Sequence, residues 1–138
     1  MSATGADYLL PSRIMSYAVW ILQFLLAFTF VAAGLTKLVS AKAKLKERMA
    51  WAGSVDSKLI KLIGALELLG GLGLLLPPIA TVLPTVLTLI ATIGLGVMMV
   101  GAIALHIRLH EVREAMPALV LLLFLILLAF GLFAADRV

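Results

Sequence analysis

Residues 61–108 read KLIGALELLGGLGLLLPPIATVLPTVLTLIATIGLGVMMVGAIALHIR, and this stretch decides the fold. Between Lys61 and Arg108 lie 46 residues whose only charge is Glu67. One helical crossing of a bilayer takes roughly 20 apolar residues, so the stretch is too long for one span and fits two. The join is marked by Leu76-Pro77-Pro78-Ile79, with Pro84 soon after, because proline lacks the amide that a helix interior needs. Working outward, 23 uncharged residues separate Arg13 from Lys37, and 21 separate Glu114 from Asp136. Backbone amides in hydrocarbon must be paired internally, and none of these runs alternates as a barrel strand does, so the spans are helices. The reading is an all-α integral membrane protein of a single domain over 1–138. Its four-transmembrane-helix bundle has helices near 17–38, 58–76, 82–105 and 117–134.

Composition agrees. Of 138 residues, 64% are hydrophobic and 13% charged, and the mean hydropathy is +1.21. A soluble domain runs at roughly 45–50% apolar and about 25% charged. An ordinary cytosolic enzyme, a disordered chain and a nucleic-acid-binding module are thereby excluded. The absence of cysteine removes disulfides, thiolate metal sites and thiol catalysis. The leader Met1–Ser12 carries Asp7 and no cation, and the apolar stretch behind it exceeds the roughly 7–15 residues of a signal-peptide core, so the first span is expected to stay in the protein.

Cations set the expected orientation. Lys37, Lys42, Lys44, Lys46, Arg48 and Lys58 flank or fill the first connection, and Arg108 and Arg113 the third, whereas Arg13 and Arg137 stand alone on the other side. The positive-inside rule then places both basic loops in the cytoplasm and both termini outside, in a multi-pass protein of the plasma (inner) membrane. Within 41–52, Leu45, Met49 and Ala52 recur at helical spacing among Lys42, Lys44, Lys46 and Arg48. This predicts a short interfacial amphipathic helix between helices 1 and 2, with Trp51 as a headgroup-level anchor and the cations on membrane lipids. The alternative is a solvated basic loop that only fixes topology.

Ionisable groups inside spans are costly and therefore informative. Glu67 falls near the bilayer midplane and must be protonated, paired or turned toward the bundle interior. Gly64, Glu67 and Gly71 share one face, which permits close helix approach. Thr29 lies at similar depth on helix 1, and Lys37, His106 and Arg108 lie on the same half of the bundle. Two readings stay open: a buried polar staple of Glu67 with Lys37 or Thr29, or a pocket between helices 1, 2 and 3 that handles a ligand, substrate or proton. His106 and His110 have the i, i+4 spacing of metal ligands, but only Glu111 or Glu114 offers a third donor and the pair lies at the wet interface, so no metal is assigned. Met98 and Met99 read as gap-fillers, and helix 4 has no polar side chain from Ala118 to Leu132. No phosphate loop, dinucleotide fingerprint or nucleophile–base pair is present.

Four motifs in order carry a resemblance: Phe30-Val-Ala-Ala-Gly34-Leu-Thr-Lys37-Leu38, Gly64-Ala-Leu-Glu67-Leu-Leu-Gly70, Gly73-Leu-Leu-Leu-Pro77, and Gly101-Ala-Ile-Ala-Leu-His106-Ile-Arg108-Leu-His-Glu111. Together they resemble the DoxX-like family of four-helix membrane proteins, over about residues 28–111. That family is named after a subunit of a thiosulfate:quinone oxidoreductase, and the resemblance implies Lys37, Glu67, His106 and Arg108 as its polar set. The expectation is an accessory subunit of a membrane redox complex that binds a quinone or another lipophile, with electrons supplied by a partner. The alternatives are a non-catalytic assembly factor for another membrane protein, and a small proton-coupled transporter acting as a homo-oligomer, a dimer with one carboxylate per protomer.

Overall fold

The computed structural model describes residues 6–80 and 84–134, with side chains at 13–77 and 85–134. Five α-helices account for most of this: α1 (Ala6–Val39), α2 (Lys42–Arg48), α3 (Ser57–Ala80), α4 (Pro84–Arg108) and α5 (Met116–Ala134). Single 3-10 turns at Ala50–Gly53 and Val112–Ala115 lead into α3 and α5. Four segments are long and apolar enough to cross a membrane: Arg13–Val39, Ser57–Pro77, Thr85–Arg108 and Val112–Ala134. The four long helices close a ring in which α1 packs on α3, α3 on α4, α4 on α5 and α5 back on α1. The bundle is therefore up-down-up-down, with α2 and both 3-10 turns at one end.

The closest seam lies between α1 and α3. A Cβ added at Gly34 would stand 2.6 Å from both the Gly64 carbonyl oxygen and the Leu68 amide nitrogen. Backbone meets backbone there, and only glycine fits. The main core runs along the bundle axis through Phe30, Leu74, Leu95, Leu125 and Leu128. A smaller cluster of Leu45, Ala52, Val55 and Ile60 lies under α2.

The structure moves two features from where the sequence put them. First, α3 does not stop at Leu76 but continues through Pro77 and Pro78 to Ala80. Pro78 has no N–H to offer the Leu74 carbonyl four residues back. The Gln23 side chain, fully buried on α1, donates Nε2–H to that oxygen at 2.8 Å. The same nitrogen lies 3.5 Å from Thr88 Oγ1, and Thr92 donates its hydroxyl to the Thr88 carbonyl at 2.7 Å. A polar layer thus ties α1, α3 and α4 together in the half of the bundle remote from α2. Residues 81–83 of the expected turn lie outside the described residues, and Pro84 opens α4, the position at which its missing amide costs nothing.

Second, the short basic helix is present, but Leu45 is buried on the bundle. Its apolar side faces protein, while Lys42, Lys44, Lys46 and Arg48 are exposed. Trp51 turns inward as well, half-buried, with its ring edge-on to His106 at a centroid distance of 6.2 Å.

Candidate functional site

The site grows from the α1–α3 seam. Gly34 and Gly64 bring the two backbones together just below Lys37, and the Lys37 Cβ would be only 2.8 Å from a Cβ at Gly64. Glu67 lies about one turn further along the same face of α3. Its Oε2 accepts a hydrogen bond from Lys37 Nζ at 2.6 Å, and each side chain is only 7% exposed. In such surroundings neither charge is tolerable alone; removing one partner of a buried pair typically costs about 3–5 kcal/mol. Lys61 closes the top of the seam by donating to the carbonyls of Leu38 and Ser40, the free acceptors at the end of α1.

The third polar group comes from the end of α4. His106 is buried, and the helix finishes two residues later at Arg108, followed by a left-handed turn at His110 with φ of 58°. The Glu111 amide donates to the His106 carbonyl at 2.9 Å and the His110 amide to the Ile107 carbonyl at 3.1 Å. These two bonds form the Schellman arrangement, in which a residue other than glycine tolerates the left-handed position at some cost. The turn carries His110 out to an exposed position and swings Glu111 back, so that its Oε2 lies 3.6 Å from His106 Nδ1. That is ion-pair reach but too long for a hydrogen bond, and both atoms are buried without another hydrogen-bond partner. The two histidines therefore do not share a face.

Lys37, Glu67 and His106 all border one cavity of about 520 Å³. Its walls are Phe30 and Ala33 on α1, Ile63 and Leu66 on α3, Met98 and Ala102 on α4, and Ala118 and Leu121 on α5. Met49 and Trp51 roof it at the α2 end, with Glu114 at the edge. A mostly apolar pocket of this size with a few convergent polar groups is the usual form of a small-molecule site. A head group with both donor and acceptor atoms can bond to the ion pair or the imidazole, and a ring or chain can fill the remainder.

Two sequence candidates lie elsewhere. Thr29 is exposed and donates its hydroxyl to the Leu25 carbonyl at 2.8 Å. The inward stripe of α1 runs Val19, Gln23, Phe30, Gly34 and Lys37, and Thr29 is off it. Arg108 is exposed at the last residue of α4, two positions past His106 and therefore on another face.

Comparison with protein families matches residues 21–129, the DoxX-like family, and this range contains every residue of the cavity wall. The chain belongs to the DoxX-like family. Comparison with curated proteins and with solved structures gave no match. In this DoxX-like bundle, sequence reasoning passed over Gln23, the Thr88–Thr92 pair and the inward turn of Trp51. Gln23 is the only glutamine in the chain and falls mid-span, which was the available signal. Trp51 offered none, because its direction is set by the turn at Ala50–Gly53.

Proposed function

We propose that this chain is an accessory subunit of a membrane redox complex that binds a lipophile, with a quinone as the ligand. The observation that supports it most is the cavity itself: about 520 Å³ of chiefly apolar space, with Lys37, Glu67 and His106 in its wall. A polar staple alone needs no such space beside it. The ion pair and the imidazole supply the donors and acceptors that quinone oxygens need, and Phe30, Met98 and Met99 supply surface for a ring, the methionines adapting to its outline. With no cysteine in the chain, a thiol relay is closed to it, and electrons come from a partner protein. In this reading the protein lies in the inner membrane with α2 on the cytoplasmic side. Its exposed cations contact lipid headgroups, and another membrane protein or a second copy packs against its lipid-facing helices.

The test is extraction of the lipids that co-purify with the protein in mild detergent. Quinone should be enriched on the parent protein and depleted on Ala102→Phe, which fills the cavity from α4. Equal quinone on both, at the level of the bulk membrane extract, would remove the ligand from the proposal.

A further inference from the structure

The helices that wall the cavity are not in contact along their whole length. α3 and α4 meet tightly where Gly70 faces Leu95 and Gly73 faces Ala91; a Cβ at either glycine would lie 2.5 or 2.8 Å from those side chains. One turn nearer the α2 end, the cavity separates them, with Ile63 and Leu66 on one side and Met98 and Ala102 on the other. Leu59 and Leu66 stand seven residues apart, hence along one edge of α3, as Gly94 and Gly101 do along one edge of α4. Leu59 and Leu66 are each 44% exposed and Gly101 is exposed, yet all three line the cavity. They belong to the inner wall and to the outer surface at once. A Cβ added at Gly101 would meet nothing within 4 Å. The gap is thus open at the level of the bilayer, whereas the α2 end is roofed by Met49 and Trp51.

The charges of the wall say what can enter. Lys37 is paired with Glu67 at 2.6 Å and His106 faces Glu111 at 3.6 Å, while Glu114 at the exposed edge adds a negative charge. Among the described residues of the wall no cation is left over to compensate an anionic head, and burying one unpaired is very unfavourable.

We propose that the cavity fills sideways from the bilayer, through the gap between the α2-end halves of α3 and α4, and accepts an uncharged amphiphile. This rests on the lipophile-binding reading above and adds the route and the head-group charge. The experiment uses the full chain in lipid nanodiscs with Trp20→Phe, so that Trp51 in the roof is the sole tryptophan. The probes are tail-brominated dodecanol and tail-brominated dodecanesulfonate, which share a chain and a quencher and differ in the charge of the head. The alcohol should quench Trp51 saturably and the sulfonate should bind on the order of tenfold more weakly. Gly101→Leu should slow quenching by the alcohol on the order of tenfold, and Leu66→Ala should speed it. Gly94→Leu, on the same edge of α4 but two turns away, should leave the rate unchanged. Parent-like rates in both Gly101→Leu and Leu66→Ala would overturn the route, and equal affinity for the two heads would overturn the charge selection. Failure of both probes to quench the parent would instead overturn the lipophile-binding reading, and the route with it.

Discussion

At the scale of single residues, the Lys37–Glu67 pair is the most exacting feature of the molecule. Both side chains are almost fully withdrawn from the surface and bonded at 2.6 Å, so each exists in its place because of the other. Glu67→Ala should destabilise the protein by about 3–5 kcal/mol, since it leaves an ammonium buried with no counter-charge. Glu67→Gln keeps the shape and an acceptor oxygen and should cost less. The double variant Lys37→Met, Glu67→Leu should recover most of the loss, because two apolar side chains need no pairing. Reversible unfolding in mixed micelles measures all three together with the single variants Lys37→Met and Glu67→Leu, and strict additivity of those two single changes in the double variant would show that the pair is not coupled. Glu67 and its partners Lys37 or Thr29 were legible in sequence because a lone carboxylate in an apolar run requires an explanation. The choice between the two partners was not, because helices apolar on every side carry almost no amphipathic signal to say that Gln23 and Lys37 point inward and Thr29 outward.

At the scale of elements, glycines let the backbones of α1 and α3 approach closely beside a core of large apolar side chains. The α1–α3 seam depends on Gly34, where an added methyl would overlap the backbone of the partner helix rather than a movable side chain. Gly34→Ala should therefore push the helices apart, break the 2.6 Å ion pair and lower the melting temperature more than Gly101→Ala, where space is open. Thermal unfolding by circular dichroism distinguishes the two, and equal shifts would contradict the packing described. The glycine-rich face of α3 announced such a seam in sequence. The passage of α3 through Pro77 and Pro78 was hidden, because the donor to the Leu74 carbonyl is Gln23, 51 residues away. In the same way, the burial of Leu45 depends on Val55 and Ile60, which come under α2 only once the chain has turned back.

At the scale of the whole molecule, charge placement made the fold readable: three runs almost free of charge, the longest divided by prolines, became four spans because a charge in hydrocarbon is expensive. The same argument predicts the basic end in the cytoplasm. Because the chain has no native cysteine, single substitutions report cleanly. A cysteine at Lys44 should resist an impermeant maleimide in intact cells and react after permeabilisation, whereas one at Arg13 should react in both; the opposite pattern would invert the topology. The cavity was only half legible, since polar groups can be counted along a sequence but the space beside them cannot. Its occupation is the central claim, and Trp51 in its roof, 6.2 Å from His106, reports on it. The measurement is a titration of a short-chain ubiquinone analogue into the Trp20→Phe protein in nanodiscs, followed by Trp51 emission. A saturable fall in emission is expected, weakened on the order of tenfold by the cavity-filling Ala102→Phe. A fall that grows linearly with the quinone in the membrane, and is the same in both proteins, would contradict it.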